Sequence, residues 1–126
     1  MRSIGKIFSF SAAHHLPHHD GLCQEHHGHN YTLEIEIGRE VYVSPVQEYG
    51  PAKGMIMDFN DLTAIVSQVI LDHDHKDLNT MYDNPTAEIM IEVIAEQINR
   101  TLPNGFILLT LKLWETEKCY AKWTAD

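Results

Sequence analysis

The sequence is poor in basic residues, and this scarcity narrows the possible functions. Only 9 Lys and Arg accompany 18 Asp and Glu among the 126 residues, so the formal net charge is −9. This balance argues against general nucleic-acid binding, which requires a basic face. It also means that an anionic substrate needs either a metal or a small cationic pocket, which subunits could share.

Long apolar runs and cysteines are also scarce. No apolar run reaches the roughly 18 residues of a membrane span. The apolar residues near the N-terminus are interrupted by Gly5, Lys6 and Ser9, which does not fit a signal peptide. We therefore expect a cytoplasmic protein in which Cys23 and Cys119 are free thiols or ligands rather than a disulfide. Length and composition fit one domain over residues 1–126.

The apolar pattern predicts two strands, two helices and two further strands. Alternation indicates strands over 4–13, 29–43 and 106–114 and a short last one over 119–124. Apolar residues at helical spacing indicate helices over 60–72 and, with Thr86 as N-cap, from Thr86 to about 102. This order predicts an α+β fold with both helices on one face of a four-stranded antiparallel sheet. Its two open edges favour oligomerisation.

Seven of the nine histidines lie in one stretch, "HHLPHHDGLCQEHHGHN", which runs from His14 to Asn30. If a strand begins here, His27 and His29 point to the same side, because side chains two apart share a face. His14 joins them if the first two strands pair. Three histidines with an open fourth position are typical of catalytic zinc, although imidazole also suits iron, copper or nickel. Spacing alone does not select three ligands from the cluster. The other histidines are more typical of loop residues: His15, His18, His19 and His26.

Three other features leave alternatives open. Cys23 could be a fourth ligand of a closed site, a reactive thiolate beside an open one, or a small buried side chain. The segment "LDHDHKDLN" offers two carboxylate–imidazole pairs, Asp72-His73 and Asp74-His75, and either could act in acid–base chemistry or lie in solvent. Glu115, at the end of an apolar strand, could bind a planar pair of N–H donors or be a surface residue.

Six segments occur in the order found in one enzyme family. "FSAAHHL" matches F-x-A-x-H-x-L, and "CQEHHGHNY" matches C-x-x-x-H-G-H-x-Y. "GMIMDF", "DHKDLN", "NPTAE" and "WET" follow in order. On these motifs the chain resembles the 6-pyruvoyltetrahydropterin synthase and 6-carboxytetrahydropterin synthase family. The resemblance implies the tunnelling fold, or T-fold, in which three sheets join into a barrel and two trimers stack into a hexamer with active sites between subunits.

The resemblance also implies roles for individual residues. A family variant has Glu at the position of Gln24, and the presence of Cys23 with Gln24 disfavours that variant. One departure from the family is His15, which stands where many members have a basic residue, and it leaves the phosphate ligands unassigned. The implied roles are zinc ligands for His14, His27 and His29, catalysis for Cys23, Asp74 and His75, and substrate contact for Glu115, Thr116 and Thr86.

The resemblance predicts a zinc-dependent lyase acting on 7,8-dihydroneopterin triphosphate. The presence of Cys23 with Gln24 favours the bacterial branch, which releases acetaldehyde and triphosphate and forms 6-carboxytetrahydropterin for the route to queuosine. The alternative branch eliminates triphosphate and forms 6-pyruvoyltetrahydropterin. A third hypothesis, from another class, is a non-enzymatic histidine-rich metal-binding protein. It predicts several metals per chain, bound also by His18, His19 and His26.

Overall fold

Two long strands near the N-terminus form the centre of the fold. The computed structural model describes residues 1–126 and pairs β1 (Ser3–His14) with β2 (His27–Arg39) in antiparallel register, from Ser3 opposite Gly38 to His14 opposite His27. β2 ends earlier than the predicted 29–43. The chain leaves the sheet at Glu40, whose carbonyl accepts a hydrogen bond from the Val43 N–H in a turn.

The remaining strands extend this pair into a five-stranded sheet of order β3-β1-β2-β4-β5. β4 (Phe106–Trp114) pairs antiparallel with β2, and β5 (Tyr120–Thr124) pairs antiparallel with β4. The α+β class and the order of the major elements are thus confirmed. The predicted four-stranded, purely antiparallel sheet is wrong in one detail, because the two-residue strand β3 (Lys76–Asp77) runs parallel to β1.

Backbone contacts after the first helix explain β3. His75 has a positive φ of 59°, an uncommon conformation for a residue other than glycine. Its N–H donates to the Ser11 carbonyl at 2.6 Å, and the Ser11 N–H donates to the Asp74 carboxylate at 2.9 Å. These bonds turn the chain sharply and place the next two residues beside β1. Apolar periodicity carries no signal for such a turn.

Each helix begins at a capping side chain. Asp58 accepts from the Asn60 N–H at the start of α1 (Phe59–His73), and Thr86 accepts from the Ile89 N–H at the start of α2 (Ala87–Thr101). Such caps satisfy amide groups that have no partner within the helix. Neither helix is long and apolar enough to cross a membrane.

The core lies between the helices and one face of the sheet. On α2 the whole predicted stripe is buried, and on α1 Leu62, Val66 and Val69 are buried while Ile65 and Ile70 are partly so. The sheet contributes alternate residues, including the four predicted for β2. The residues of β2 and α2 predicted to face the core, all of them buried, are Tyr31, Leu33, Ile35, Ile37, Ala87, Met90, Ile91, Ile94 and Ile98.

His73 in this core makes the stability of the protein dependent on pH. Burial lowers the pKa of His73 below 6.5, so the folded protein keeps this imidazole neutral. Below about pH 6.5 the unfolded chain binds a proton that the folded state does not bind, so His73 should remove about 1.4 kcal/mol of unfolding free energy per pH unit as the pH falls. Urea unfolding from pH 7.5 to 5.5 measures the slope, and His73→Gln should flatten it. An unchanged slope in the variant would contradict the assignment.

Candidate metal centre and active site

Strand pairing brings the three predicted metal histidines together. His14, the last residue of β1, lies directly opposite His27, the first residue of β2, and His29 lies opposite Ala12. All three side chains are on the same face of the sheet as the buried Phe10 and Tyr31. The ring centroids are 4.6 to 5.1 Å apart and the ring planes are nearly perpendicular, at 71° to 90°.

Backbone carbonyls determine which ring nitrogens are free. His14 Nδ1 lies 2.9 Å from the Pro85 carbonyl oxygen, and His27 Nδ1 lies 2.7 Å from the Glu25 carbonyl oxygen. A carbonyl only accepts hydrogen bonds, so each Nδ1 carries the proton and each Nε2 has a free lone pair. The two Nε2 atoms are 3.0 Å apart and cannot hydrogen-bond to each other in these tautomers. A cation between them would satisfy both.

Glu115 completes the cluster. It follows β4 two residues after the buried Leu113, and its Oε1 lies 3.0 Å from His29 Nε2 and 3.4 Å from His14 Nε2. The neighbouring His14 ring, together with the charges of the other histidines, lowers the pKa of Glu115. The carboxylate therefore stays ionised and adds negative potential to the centre. The family resemblance did not imply this closeness of Glu115 to the histidines.

The donor set fits a divalent metal. The ligand atoms of His14, His27, His29 and Glu115 all lie within 4.8 Å of one another. His29 Nε2 is buried and makes no hydrogen bond, although Glu115 Oε1 is near. Burial lowers the pKa of His29, which favours the neutral imidazole that binds metals. Three imidazole nitrogens, with a fourth position that is open or occupied by a carboxylate, match catalytic zinc sites.

Cys23 lies on the loop that connects His14 to His27. It forms part of a short 3₁₀ turn, Leu22–Gln24, and is half-buried. Its carbonyl accepts from the Leu16 N–H at 2.7 Å, which fastens the loop to the end of β1. The sulfur is not among the clustered ligand atoms. This placement argues against Cys23 as a fourth ligand.

The first of the two Asp-His pairs is structural. His73 is 1% exposed, its Nδ1–H donates to the Val69 carbonyl at 2.7 Å, and its Nε2 accepts from the Tyr82 hydroxyl at 2.7 Å. Asp72 accepts hydrogen bonds from the Gln68 and Gln97 side chains. His73 has no ring nitrogen available to a substrate in this arrangement, because both are hydrogen-bonded in the core.

The second pair is accessible. The His75 side chain is 82% exposed, and its Nδ1 lies 3.0 Å from Asp74 Oδ2. The Ser11 N–H, together with His75, lowers the pKa of Asp74, so this carboxylate is ionised. His75 borders an open depression of about 510 Å³ that includes Ser11, Gly28 and His29. The pair makes no hydrogen bond with the histidine cluster of its own chain.

The other candidates have local partners. Thr86 caps α2, and Thr116 accepts from the Lys118 N–H at 3.2 Å in the turn after β4. His15 and His26 have ring centroids 4.7 Å apart, and His26 pairs with Asp77. His18 and His19 are exposed on the loop. None of these four histidines belongs to the metal cluster.

The chain is similar to enzymes of pterin metabolism. The sequence model of the family described as 6-pyruvoyl tetrahydropterin synthase matches residues 3–126. A 6-carboxy-5,6,7,8-tetrahydropterin synthase from Haemophilus influenzae is 34% identical, with 98% of this chain and 99% of that protein covered. A dihydroneopterin monophosphate aldolase from Pyrococcus furiosus is 36% identical, with 85% and 83% covered. In structure, a 6-pyruvoyl tetrahydropterin synthase from Caenorhabditis elegans aligns with a TM-score of 0.81 at 24% identity, covering 99% and 96%.

Proposed function

The chain belongs to the 6-pyruvoyl tetrahydropterin synthase family and is a pterin lyase, and we propose that it is a zinc-dependent 6-carboxytetrahydropterin synthase. In the proposed reaction, 7,8-dihydroneopterin triphosphate and water give 6-carboxy-5,6,7,8-tetrahydropterin, acetaldehyde and triphosphate. The product would feed the deazapurine route to queuosine. The observation that carries the proposal is the cluster of three imidazole nitrogens beside a carboxylate in a chain similar to such synthases.

The clustered ligand atoms support metal binding by His14, His27 and His29. A bound zinc ion would supply Lewis acidity to the side-chain oxygens of the substrate. The carbonyls of Pro85 and Glu25 keep Nε2 of His14 and His27 unprotonated, ready to bind it. Of the three histidines, His14 is fully buried.

Each further residue has a separate task. Cys23 would accept or return a proton on the side chain of the substrate. The ionised Asp74 holds His75 through Nδ1 and favours the tautomer with Nε2 free as a base. Glu115 would accept hydrogen bonds from the amino group and ring N–H of the pterin and thereby orient it, and Thr116 and Thr86 would supply further contacts.

We propose a hexamer made of two trimers, with sites between subunits. β5 leaves one edge of the sheet unpaired, and β3 covers only two residues of β1 at the other edge. Several large apolar side chains are exposed in the single chain and are available for burial between subunits. They include Ile7, Leu22, Val41, Tyr42 and Tyr49.

Product analysis tests the proposed function. The zinc-loaded protein is incubated with 7,8-dihydroneopterin triphosphate, and the products are identified by mass spectrometry. Acetaldehyde and a carboxypterin in equal amounts are expected. Pyruvoylpterin without acetaldehyde would instead assign the 6-pyruvoyl reaction, and absence of turnover with this substrate would refute the proposal. The monophosphate is assayed in parallel because of the similarity to the aldolase.

The role of Glu115 predicts a defect in substrate binding. Glu115→Gln keeps the size of the side chain but loses the charge that accepts the pterin donors, so kcat/KM should fall about 100-fold, the order of one charged hydrogen bond of roughly 3 kcal/mol. Zinc content should remain at the wild-type value. Glu117→Gln, an exposed glutamate in the same turn, is the matched control. If Glu115→Gln loses zinc, Glu115 is itself a metal ligand and the site has no open fourth position.

Cys23→Ala should separate acid–base chemistry from metal binding. We expect turnover to fall by about 10² to 10⁴, the usual contribution of a positioned acid or base, while the zinc content is unchanged. Steady-state kinetics and metal analysis of the same preparation measure both effects. Cys119→Ala, which removes the other free thiol, should retain turnover. If zinc is lost together with the Cys23 thiol, the open-site assignment is wrong.

A further inference from the structure

Tyr31 places a hydroxyl group behind the metal centre. The residue lies in β2 and is 0% exposed, and its ring stacks on Phe10 with centroids 5.0 Å apart and planes inclined by 11°. Its Oη lies 3.2 Å from His14 Nδ1. The same Nδ1 lies 2.9 Å from the Pro85 carbonyl oxygen. Two oxygen atoms therefore face the ring nitrogen of His14 that points away from the metal cluster.

The tautomer of His14 follows from these two contacts. If the Tyr31 O–H donated to Nδ1, that nitrogen would lack a proton, and its lone pair would face the Pro85 carbonyl. The imidazole proton would then be on Nε2 and would block metal binding. With the proton on Nδ1, both oxygens accept from it and Nε2 is free.

We propose that Tyr31 is a positioning residue for the metal: its hydroxyl oxygen, together with the Pro85 carbonyl, holds His14 in the orientation and tautomer that expose Nε2. Partners behind a metal ligand fix its ring and raise its basicity, and removing one typically weakens metal binding 10- to 100-fold. Stacking on Phe10 in turn fixes the position of the hydroxyl. This inference rests on the metal site of the proposed function.

Two buried tyrosines provide a matched test. Tyr82 is 7% exposed, and its hydroxyl contacts a ring nitrogen of His73, which lies outside the metal cluster. Tyr31→Phe and Tyr82→Phe each remove one buried hydroxyl bonded to a histidine. The dissociation constant for Zn²⁺ is measured by competition with a chromophoric chelator, and the visible absorption of the Co²⁺-loaded proteins reports ligand geometry. Tyr31→Phe should bind Zn²⁺ about 10-fold more weakly with an altered cobalt spectrum, while Tyr82→Phe should match the wild type in both.

The outcomes separate this inference from the proposed function. Zinc affinity of Tyr31→Phe within twofold of wild type, with an unchanged cobalt spectrum, would overturn the role of Tyr31 and leave the metal site intact. Absence of Zn²⁺ binding by the wild-type protein would overturn both. If Tyr31→Phe does not fold, NMR of the zinc-loaded wild type decides. A protonated His14 Nδ1 in contact with the Tyr31 hydroxyl supports the role, and a proton on Nε2 refutes it.

Discussion

We expect three single variants, His14→Ala, His27→Ala and His29→Ala, each to lose zinc binding and to show only background turnover. Each substitution removes one of three imidazole nitrogens whose ligand atoms converge within 4.8 Å. The loss of affinity should exceed the roughly 100-fold that removal of a residue behind a ligand can cause. Zinc per chain is measured by elemental analysis after exchange into metal-free buffer, and turnover is measured on the same samples with dihydroneopterin triphosphate.

His18→Ala and His19→Ala are the matched controls within the same histidine-rich stretch. Both side chains are exposed on the loop and do not belong to the cluster, so both variants should keep one zinc per chain. Zinc binding should also raise the melting temperature of the wild type, since a ligand that binds only the folded state stabilises it. Retention of zinc by the first three variants, or several zinc ions per wild-type chain, would favour the metal-storage hypothesis.

The clustering of His14, His27 and His29 is predictable from the sequence because the relevant rules are local. His27 and His29 share a face through the period of two in a strand, and His14 joins them once β1 and β2 pair as a hairpin. The buried stripe of α2 and its cap at Thr86 follow equally from short-range patterns. The family motifs then select three histidines from seven, a choice that spacing alone leaves open.

Contacts between residues that are far apart in the sequence are not predictable from such short-range patterns. Glu115 lies near the histidines because of the register in which β4 pairs with β2. Leu113 lies opposite Leu33 in this register, and Glu115 is the next residue on the same face, just after the end of β4. The Pro85 carbonyl reaches His14 across 71 positions of sequence. Strand β3 depends on the positive φ of His75. The alternation of apolar residues in β4 does point Glu115 to the covered face, a signal that could have indicated its partners.

The two adjacent Asp-His pairs should respond to substitution in opposite ways. His75→Ala should reduce turnover by about 10² to 10⁴ through loss of an acid–base group, and it should leave stability nearly unchanged because this side chain is 82% exposed. His73→Ala should reduce the unfolding free energy by about 2–4 kcal/mol, since it creates a cavity and leaves the Tyr82 hydroxyl without its partner. The turnover of each folded His73→Ala molecule should remain near the wild-type value. Kinetics at low temperature and urea unfolding separate the effects, and the reverse pattern would refute the assignment of Asp74 and His75.

A mixing experiment tests which subunit His75 serves. The Asp74-His75 pair lies at the β1 edge and makes no hydrogen bond with the histidine cluster of its own chain, so we expect it to act in the site of a neighbouring subunit. Cys23→Ala and His75→Ala chains alone should show only the strongly reduced turnover predicted above. Refolding them together should form assemblies in which some sites combine an intact Cys23 from one chain with an intact His75 from another, and these sites should turn over substrate. If both residues must come from the same chain, every site in the mixture lacks one of them and no activity returns.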